Sequence, residues 1–385
     1  MKGFLGANVY VHGKGIVKTN IAINGNIISY IGDDNLNVQN LFPLSDTDII
    51  VPGFIDEHIH GAMDGDCMDG NITALKTISS ALAKEGTTSF LATTMTQSED
   101  NIRSALKSVK DYIEGGFNSG ARLLGVHLEG PFISLKHIGA QPEEYVKAPS
   151  TELFESFNTS CGGNIKLVTL APEEKGADTL IKHLKENGVV VHAGHTDAKY
   201  CDIESAISIG LSGITHTFNV QKPLHHREIG TVGSALLLDD LYTEAICDTI
   251  HLSIPAIKLL IKNKPKDKVV LITDSMRAKG FKDGISELGG QTVIVKNGEA
   301  RLENGALAGS VLKMNVAIKN LVEKCDVPLT DAIDFATINP ATHLSISDKV
   351  GSIAVGKLAD LVVLDKDLNV KLTIRDGNIV YNKKT

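Results

Sequence analysis

Between residues 49 and 273, short apolar runs alternate with stretches whose apolar residues recur every three or four positions. The runs predict strands and the longer period predicts helices. We expect eight strands, at 49–55, 87–93, 123–128, 165–170, 189–193, 213–217, 244–248 and 268–273. The helices expected between them include 72–84, 101–113, 179–186, 198–209 and 255–262. Eight such units fit a (β/α)8 TIM barrel. An open doubly wound sheet is the alternative, which the missing Gly-rich phosphate fingerprint disfavours.

Both ends of the chain have a different, β-rich pattern. Asn24-Gly25 and Asp376-Gly377 each lie between β-forming residues, which is the strongest short signal for a hairpin. A further strand is expected at 361–364. We therefore predict a small β-sandwich domain built from residues 1–52 and 345–385, with the barrel domain at 53–344.

Composition narrows the class of protein. With 385 residues, 42% hydrophobic and 22% charged, the chain has a globular composition, which excludes a disordered or collagen-like protein. The formal net charge of −8 disfavours nucleic-acid binding. No apolar run approaches the roughly 18 residues of a membrane span, and residues 1–20 lack the apolar core of a secretion signal. Five widely spaced cysteines predict free thiols and a cytoplasmic location.

Six side chains able to bind metal follow five of the predicted strands. They are His58, His60, Glu129, His195, His216 and Asp274. Each alone could be a buried histidine or a helix-capping carboxylate, but together they meet at the end of a barrel where active sites form. Imidazoles and carboxylates suit Zn²⁺, Fe²⁺, Mn²⁺ or Co²⁺. Five ligands and an aspartate are more than one tetrahedral ion needs, which favours a two-metal site with a bridging carboxylate, beside which Asp274 could act as general base. His127 shares the face of Glu129, and we expect it to be a supporting or core histidine.

Several longer motifs carry a family resemblance. They are Pro52-Gly-Phe-Ile-Asp-Glu-His-Ile-His-Gly, His127-Leu-Glu-Gly-Pro-Phe, Ala193-Gly-His-Thr, Thr215-His-Thr-Phe-Asn, Pro223-Leu-His-His-Arg-Glu, Leu271-Ile-Thr-Asp, Leu307-Ala-Gly-Ser and the tail Gly351-Ser-Ile-Ala-Val-Gly-Lys-Leu-Ala-Asp. Over essentially its whole length the chain resembles the amidohydrolase superfamily and, within it, the deacetylases of amino-sugar phosphates. His-Leu-Glu-Gly-Pro and Pro-Leu-His-His-Arg-Glu are the specific motifs.

The resemblance implies a TIM barrel with a small β-sandwich, and a metal-dependent hydrolase that releases acetate from N-acetylglucosamine 6-phosphate. By similarity, Glu129, His195 and His216 hold the shared ion, and His58 and His60 add a second one. Asp274 would deprotonate the attacking water and then protonate the amine. The resemblance assigns substrate contacts to Ala140, Gln141, Asn219, Val220, Arg227, His251, Leu307, Ala308 and Gly309. It also implies a homodimer whose subunits share phosphate contacts.

Some positions depart from the family pattern. Val220 and Gln221 replace a usual Ala-Met, Thr249 replaces a glycine, Ser275 replaces an alanine, and Gln141 stands where some relatives have a carbonyl-polarising histidine. These changes leave open the same chemistry on N-acetylgalactosamine 6-phosphate.

Two further alternatives stay open. Another amidohydrolase, such as a cyclic amidase or base deaminase, is disfavoured because the fourth strand ends without the lysine that many cyclic amidases carboxylate. A non-enzymatic metal-binding protein is disfavoured because every expected ligand is present.

Overall fold

A computed structural model describes residues 1–383, and its centre is a parallel barrel. Its eight strands are paired in chain order and are called barrel strands 1 to 8: Phe54–Ile59, Thr87–Thr93, Arg122–Glu129, Ile165–Leu170, Val190–Ala193, Gly213–Ile214, Tyr242–Ile246 and Val269–Ile272. Strand 8 returns to strand 1, where the Asp274 backbone N–H donates to the His58 carbonyl at 2.8 Å. The predicted TIM barrel is confirmed.

Ten α-helices of residues 1–383 surround the barrel and lie against its outer face. They are Ile72–Ala83, Glu99–Glu114, Thr151–Ser160, Ala177–Glu186, Tyr200–Ile209, Gly230–Leu237, Ile254–Asn263, Met314–Cys325, Leu329–Ala336 and Ile338–His343. Short 3₁₀ turns lie at Cys67–Asp69, Leu135–His137, Glu143–Tyr145 and Lys266–Lys268. The second helix shows why they form: Ser98 caps its first turn, and Ile102, Leu106 and Val109 bury one apolar face.

The predicted first strand at 49–55 is wrong in extent. The apolar run divides at Gly53: Ile49–Pro52 pairs with strands from the two ends of the chain in a separate sheet, and only Phe54–Ile59 belongs to the barrel. A β-carbon at Gly53 would lie 2.1 Å from Thr88 Oγ1, so the chain passes between the two sheets at a point with no room for a side chain. The predicted sixth strand is also shorter, because regular pairing stops at Ile214.

Both ends of the chain build a second sheet. Its strands are Lys2–Val11, Gly15–Asn24, Ile27–Gly32, Gln39–Asn40, Ile49–Pro52, Leu361–Leu364, Val370–Arg375 and Asn378–Asn382. Ile49–Pro52 joins the two ends of the chain, because it pairs with Lys2–Val11 on one side and Leu361–Leu364 on the other. Side chains from both ends of the sheet, including Ile21 and Ile374, share one apolar core. The domain boundaries after residues 52 and 344 stay a prediction.

A three-stranded sheet that the sequence analysis did not predict follows barrel strand 8. Its strands are Gly284–Leu288, Gln291–Lys296 and Glu299–Leu302, and a two-residue pair, Gly61–Ala62 with Gly65–Asp66, follows barrel strand 1. The sheet lies over the carboxyl end of the barrel, where Gln291 Nε2 donates to the Ala140 carbonyl at 2.7 Å. Within residues 1–383, no helix has the length and apolar character needed to cross a membrane.

Candidate metal centre

The six predicted metal-binding side chains meet at the carboxyl end of the barrel, and none is more than 8% exposed. They form two groups of three whose potential ligand atoms all lie within 4.8 Å of one another. We call Glu129, His195 and His216 the first ion position. We call His58, His60 and Asp274 the second ion position.

The first ion position has the spacing of a metal-ligand set. Glu129 Oε1 lies 3.2 Å from His195 Nε2 and 3.1 Å from His216 Nε2, and the two nitrogens are 3.2 Å apart. Tetrahedral ligands about 2.0 Å from a Zn²⁺ ion are separated by roughly 3.3 Å. His195 Nδ1 lies 3.1 Å from the carbonyl of His137, which fixes the proton on that nitrogen and leaves Nε2 free to bind an ion.

The second ion position shares the same space. His60 Nε2 lies 3.3 Å from both Glu129 Oε2 and Asp274 Oδ1, and His58 Nε2 lies 3.6 Å from Glu129 Oε1 and from Asp274 Oδ1. Glu129 therefore faces both positions, as a bridging carboxylate would. His58 Nε2 is buried and has no hydrogen-bond partner among residues 1–383. Such a nitrogen can bind a cation, so the residues present fit one or two divalent ions.

The backbone at this end of the barrel is held in an unusual conformation. His195, His216 and Asp274 have φ values of +48°, +30° and +46°. Such left-handed residues cost about 1–3 kcal/mol each and concentrate at functional sites. Gly194 allows the chain to approach its neighbours here, because an added Cβ would lie 2.7 Å from the side chains of Thr169 and Thr215.

The charges of the site favour ionised carboxylates. Burial opposes ionisation of Asp274, but His58 and His60, which are protonated when no ion is bound, outweigh it and lower its pKa to about 2. Burial also opposes ionisation of Glu129, but His58 and the hydrogen bonds from His195 and His216 outweigh it and hold its pKa well below its ordinary value. Both carboxylates are therefore ionised at neutral pH and can bind a cation.

His127 lies beneath this group rather than within it. Its Nε2 is 2.7 Å from Thr169 Oγ1, and the side chain is completely buried. Burial, reinforced by the neighbouring His58 charge, lowers its pKa well below the ordinary value. It is therefore a neutral, hydrogen-bonded core histidine.

A pocket opens above the two ion positions. Seven of the nine predicted substrate residues line it, together with Met95 and Leu288, which the sequence analysis did not single out. Ala308 is completely buried behind the pocket wall. Arg227 is exposed in the loop at 223–227 and lies outside the pocket of its own chain.

Two predicted pocket residues are held firmly by their neighbours. Gln141 Oε1 accepts from the Thr96 N–H at 2.7 Å, while its Nε2 donates to Glu129 Oε2 at 3.1 Å. His251 Nδ1 lies 2.6 Å from Asp248 Oδ2, which fixes the orientation of the ring. One N–H of Gln141 stays available for the pocket, so its role in polarising a carbonyl stays a prediction.

Two of the departures from the family pattern lie at strained backbone positions. Val220 and Thr249 have φ values of +50° and +68°, which β-branched residues rarely adopt. Thr249 stands where the family pattern has glycine, and its neighbours stay in place because Asp248 Oδ1 accepts from the backbone N–H groups of Ile250 and His251 at 2.8 Å.

Sequence reasoning missed Glu244, which supports both ion positions. Its Oε2 lies 2.9 Å from His58 Nδ1 and accepts from the His216 backbone N–H at 3.0 Å. The available signal was a carboxylate inside the apolar barrel strand 7, where Glu244 is completely buried. A buried charge in a strand needs a partner, and that requirement points to the site.

Histidines and carboxylates gathered at the carboxyl ends of barrel strands define the class of metal-dependent barrel hydrolases. The chain belongs to the amidohydrolase family, which it matches over residues 49–380. The family predicted from the sequence motifs is confirmed.

Individual relatives agree with this assignment. N-acetylglucosamine-6-phosphate deacetylase of Bacillus subtilis (strain 168) is 46% identical over 338 residues, covering 87% of this chain and 85% of that protein. N-acetylgalactosamine-6-phosphate deacetylase of Escherichia coli O157:H7 is 36% identical over 326 residues, covering 85% and 86%. The crystal structure of N-acetylglucosamine-6-phosphate deacetylase from Thermotoga maritima superimposes with a TM-score of 0.90 at 36% identity, covering 99% of this chain and 100% of that one.

Proposed function

We propose that this protein hydrolyses the acetamido group of N-acetylglucosamine 6-phosphate to glucosamine 6-phosphate and acetate. The observation that carries the proposal is the convergence of the two ion positions on Asp274 at the floor of a pocket. The 46% identity to the Bacillus subtilis deacetylase over most of both chains supports the substrate.

The chain's own residues supply the binding and the proton transfers. A divalent ion held by either position would act as a Lewis acid towards water and the amide carbonyl. Asp274, ionised and beside His58 and His60 in the second ion position, accepts the proton of the attacking water. It then donates that proton to the amine nitrogen as the C–N bond breaks. The donor set of imidazole and carboxylate fits Zn²⁺, Fe²⁺, Mn²⁺ or Co²⁺.

The phosphate is bound at the pocket mouth by His251 and by Arg227 of a second copy of the chain. Exposure of Arg227 outside its own pocket supports this arrangement, because a guanidinium binds phosphate through paired hydrogen bonds. The protein is accordingly a homodimer with shared sites. We place it in the cytoplasm, and its five free thiols, all in described residues, support this.

The second candidate is the same hydrolysis of N-acetylgalactosamine 6-phosphate, favoured by the 36% identical Escherichia coli relative. The two substrates differ only at C4. The test measures acetate release from both phosphates and from unphosphorylated N-acetylglucosamine. A higher kcat/KM for N-acetylglucosamine 6-phosphate supports the proposal, and a higher value for the galactosamine substrate replaces it. Equal rates with and without phosphate contradict the assigned phosphate contacts.

A further inference from the structure

Four buried titratable side chains below the metal centre take no part in the proposed chemistry. Glu57, His192 and Glu244 are completely buried, and His343 is 6% exposed. They come from barrel strands 1, 5 and 7 and from the end of the helix Ile338–His343. We call them the inner chain, because each contacts the next.

The distances along the inner chain define its order. Glu57 Oε1 and Oε2 lie 3.1 and 3.2 Å from His343 Nδ1, and His343 Nε2 lies 3.1 Å from His192 Nε2. His192 Nδ1 then lies 3.5 Å from Glu244 Oε1. Glu244 ends the inner chain at the metal centre, since its Oε2 is 2.9 Å from His58 Nδ1.

Proton positions along the inner chain follow from the donors available. A donor on His343 Nδ1 satisfies Glu57, and the 3.1 Å contact between His343 Nε2 and His192 Nε2 places a proton on one of these two nitrogens. His192 Nδ1 and Glu244 Oε1 lie 3.5 Å apart and neither has a hydrogen-bond partner in the described chain, so this is the longest contact of the inner chain.

The surrounding fold makes room for these two imidazoles. A β-carbon at Gly213 would lie 2.3 Å from His192 Nε2. Barrel strand 6 therefore begins with glycine, the amino acid without a side chain, which leaves space for the ring. Tyr242 stacks on His343 with ring centroids 4.2 Å apart. The rings are therefore held in place from several sides, as parts of an ordered core.

We propose that Glu57, His343 and His192 are positioning residues that hold Glu244, and through it His58, and so set the affinity of the second ion position. This inference rests on the proposed metal-dependent function. Glu244 fixes the proton of His58 on Nδ1 and leaves Nε2 free for an ion. The first ion position is less dependent on the inner chain, because His195 is oriented separately by the His137 carbonyl.

The test measures Zn²⁺ binding rather than activity. Glu57→Gln and His343→Gln interrupt the inner chain with side chains of similar size. Tyr242→Phe keeps the ring stacked on His343, and Glu85→Gln changes another buried carboxylate, paired with Lys279 outside the inner chain. Each protein is stripped with a chelator and equilibrated at a series of buffered free Zn²⁺ concentrations. Bound zinc per chain is then counted by elemental mass spectrometry. A His60→Ala variant identifies the isotherm of the second position.

We expect two Zn²⁺ ions in the original chain. Both inner-chain variants should weaken the second ion by about 10–100-fold, as loss of a supporting partner typically does, weaken the first ion much less, and leave both controls unchanged. Thermal unfolding of the metal-free variants checks the fold, and the second variant carries the test where one fails to fold. Unchanged affinity, equal weakening of both ions, or one ion per original chain at saturation would overturn the inference.

Acetate release by the same samples separates this inference from the function. Absence of acetate release from the fully loaded original chain would contradict the proposed function. Selective weakening of the second ion in Glu57→Gln and His343→Gln would still support the positioning role in that case.

Discussion

Replacing Asp274 with asparagine removes the proposed proton acceptor while leaving the local backbone intact. The two backbone contacts that fix this residue do not involve its side chain: its N–H donates to the His58 carbonyl at 2.8 Å, and its carbonyl accepts from the Ser310 N–H at 2.7 Å. Asparagine has nearly the same shape as aspartate. The fold should therefore survive the Asp274→Asn change, and any loss of rate reports on the chemistry.

The expected loss follows from the proton transfers assigned to Asp274. Its pKa of about 2 means that the carboxylate is fully ionised at neutral pH, whereas an amide accepts no proton. A positioned acid or base contributes about 10²–10⁴ in rate, and Asp274 serves in two transfers that do not add independently. We expect kcat to fall by about 10³–10⁴-fold, or roughly 4–5.5 kcal/mol of activation free energy.

The assay follows acetate release from N-acetylglucosamine 6-phosphate, with bound metal measured on the same samples. Asp274 also faces the second ion position, so rates are compared at metal concentrations that fill both proteins equally. A variant that keeps more than a tenth of the original kcat at equal metal content would refute the reasoning.

Three other changes test separate parts of the account. Arg227→Ala should raise KM for the phosphorylated sugar about 10–100-fold with kcat nearly unchanged, because a charged hydrogen bond to phosphate remote from the amide is lost; an equal fall in kcat would be inconsistent with a binding role. Gly194→Ala should lower the free energy of unfolding by about 1–3 kcal/mol, because its Cβ would lie 2.7 Å from Thr169 and Thr215; an unchanged unfolding midpoint would show that the strands can separate. Burial lowers the pKa of Lys264 to about 8 from 10.5, so the native state binds fewer protons than the unfolded state between these values. The free energy of unfolding should therefore rise with pH over that range relative to that of Lys264→Met, by at most about 1.4 kcal/mol per pH unit. A difference in unfolding free energy between the two proteins that does not change with pH, measured by denaturant unfolding, would argue against a buried amine.

The barrel could be predicted from sequence because each strand is a local apolar run with a polar residue at its end. That pattern placed Glu129, His195 and Asp274 at one end of the fold before any contact was known. It failed at 49–55, where one apolar run serves two sheets. Hydrophobic content alone carries no information about the partner strand, and Gly53 was the only local sign of the division.

Other features depend on contacts that spacing does not reveal. Glu57 and His343 are 286 positions apart, so their pairing appears only when the last helix closes the barrel. The strand Gln291–Lys296 could have been predicted, because Val293 and Val295 alternate with exposed residues. The place of Arg227 depends on a second copy of the chain and stays a prediction.

The most direct test of the central claim compares metal-free and metal-loaded protein on N-acetylglucosamine 6-phosphate. The chain is stripped with a chelator and reloaded with Zn²⁺, Mn²⁺, Fe²⁺ or Co²⁺, and acetate and glucosamine 6-phosphate are quantified together. The account predicts no turnover without metal and equal amounts of both products after reloading. Undiminished turnover in the stripped protein, or no turnover with both ion positions filled, would contradict it.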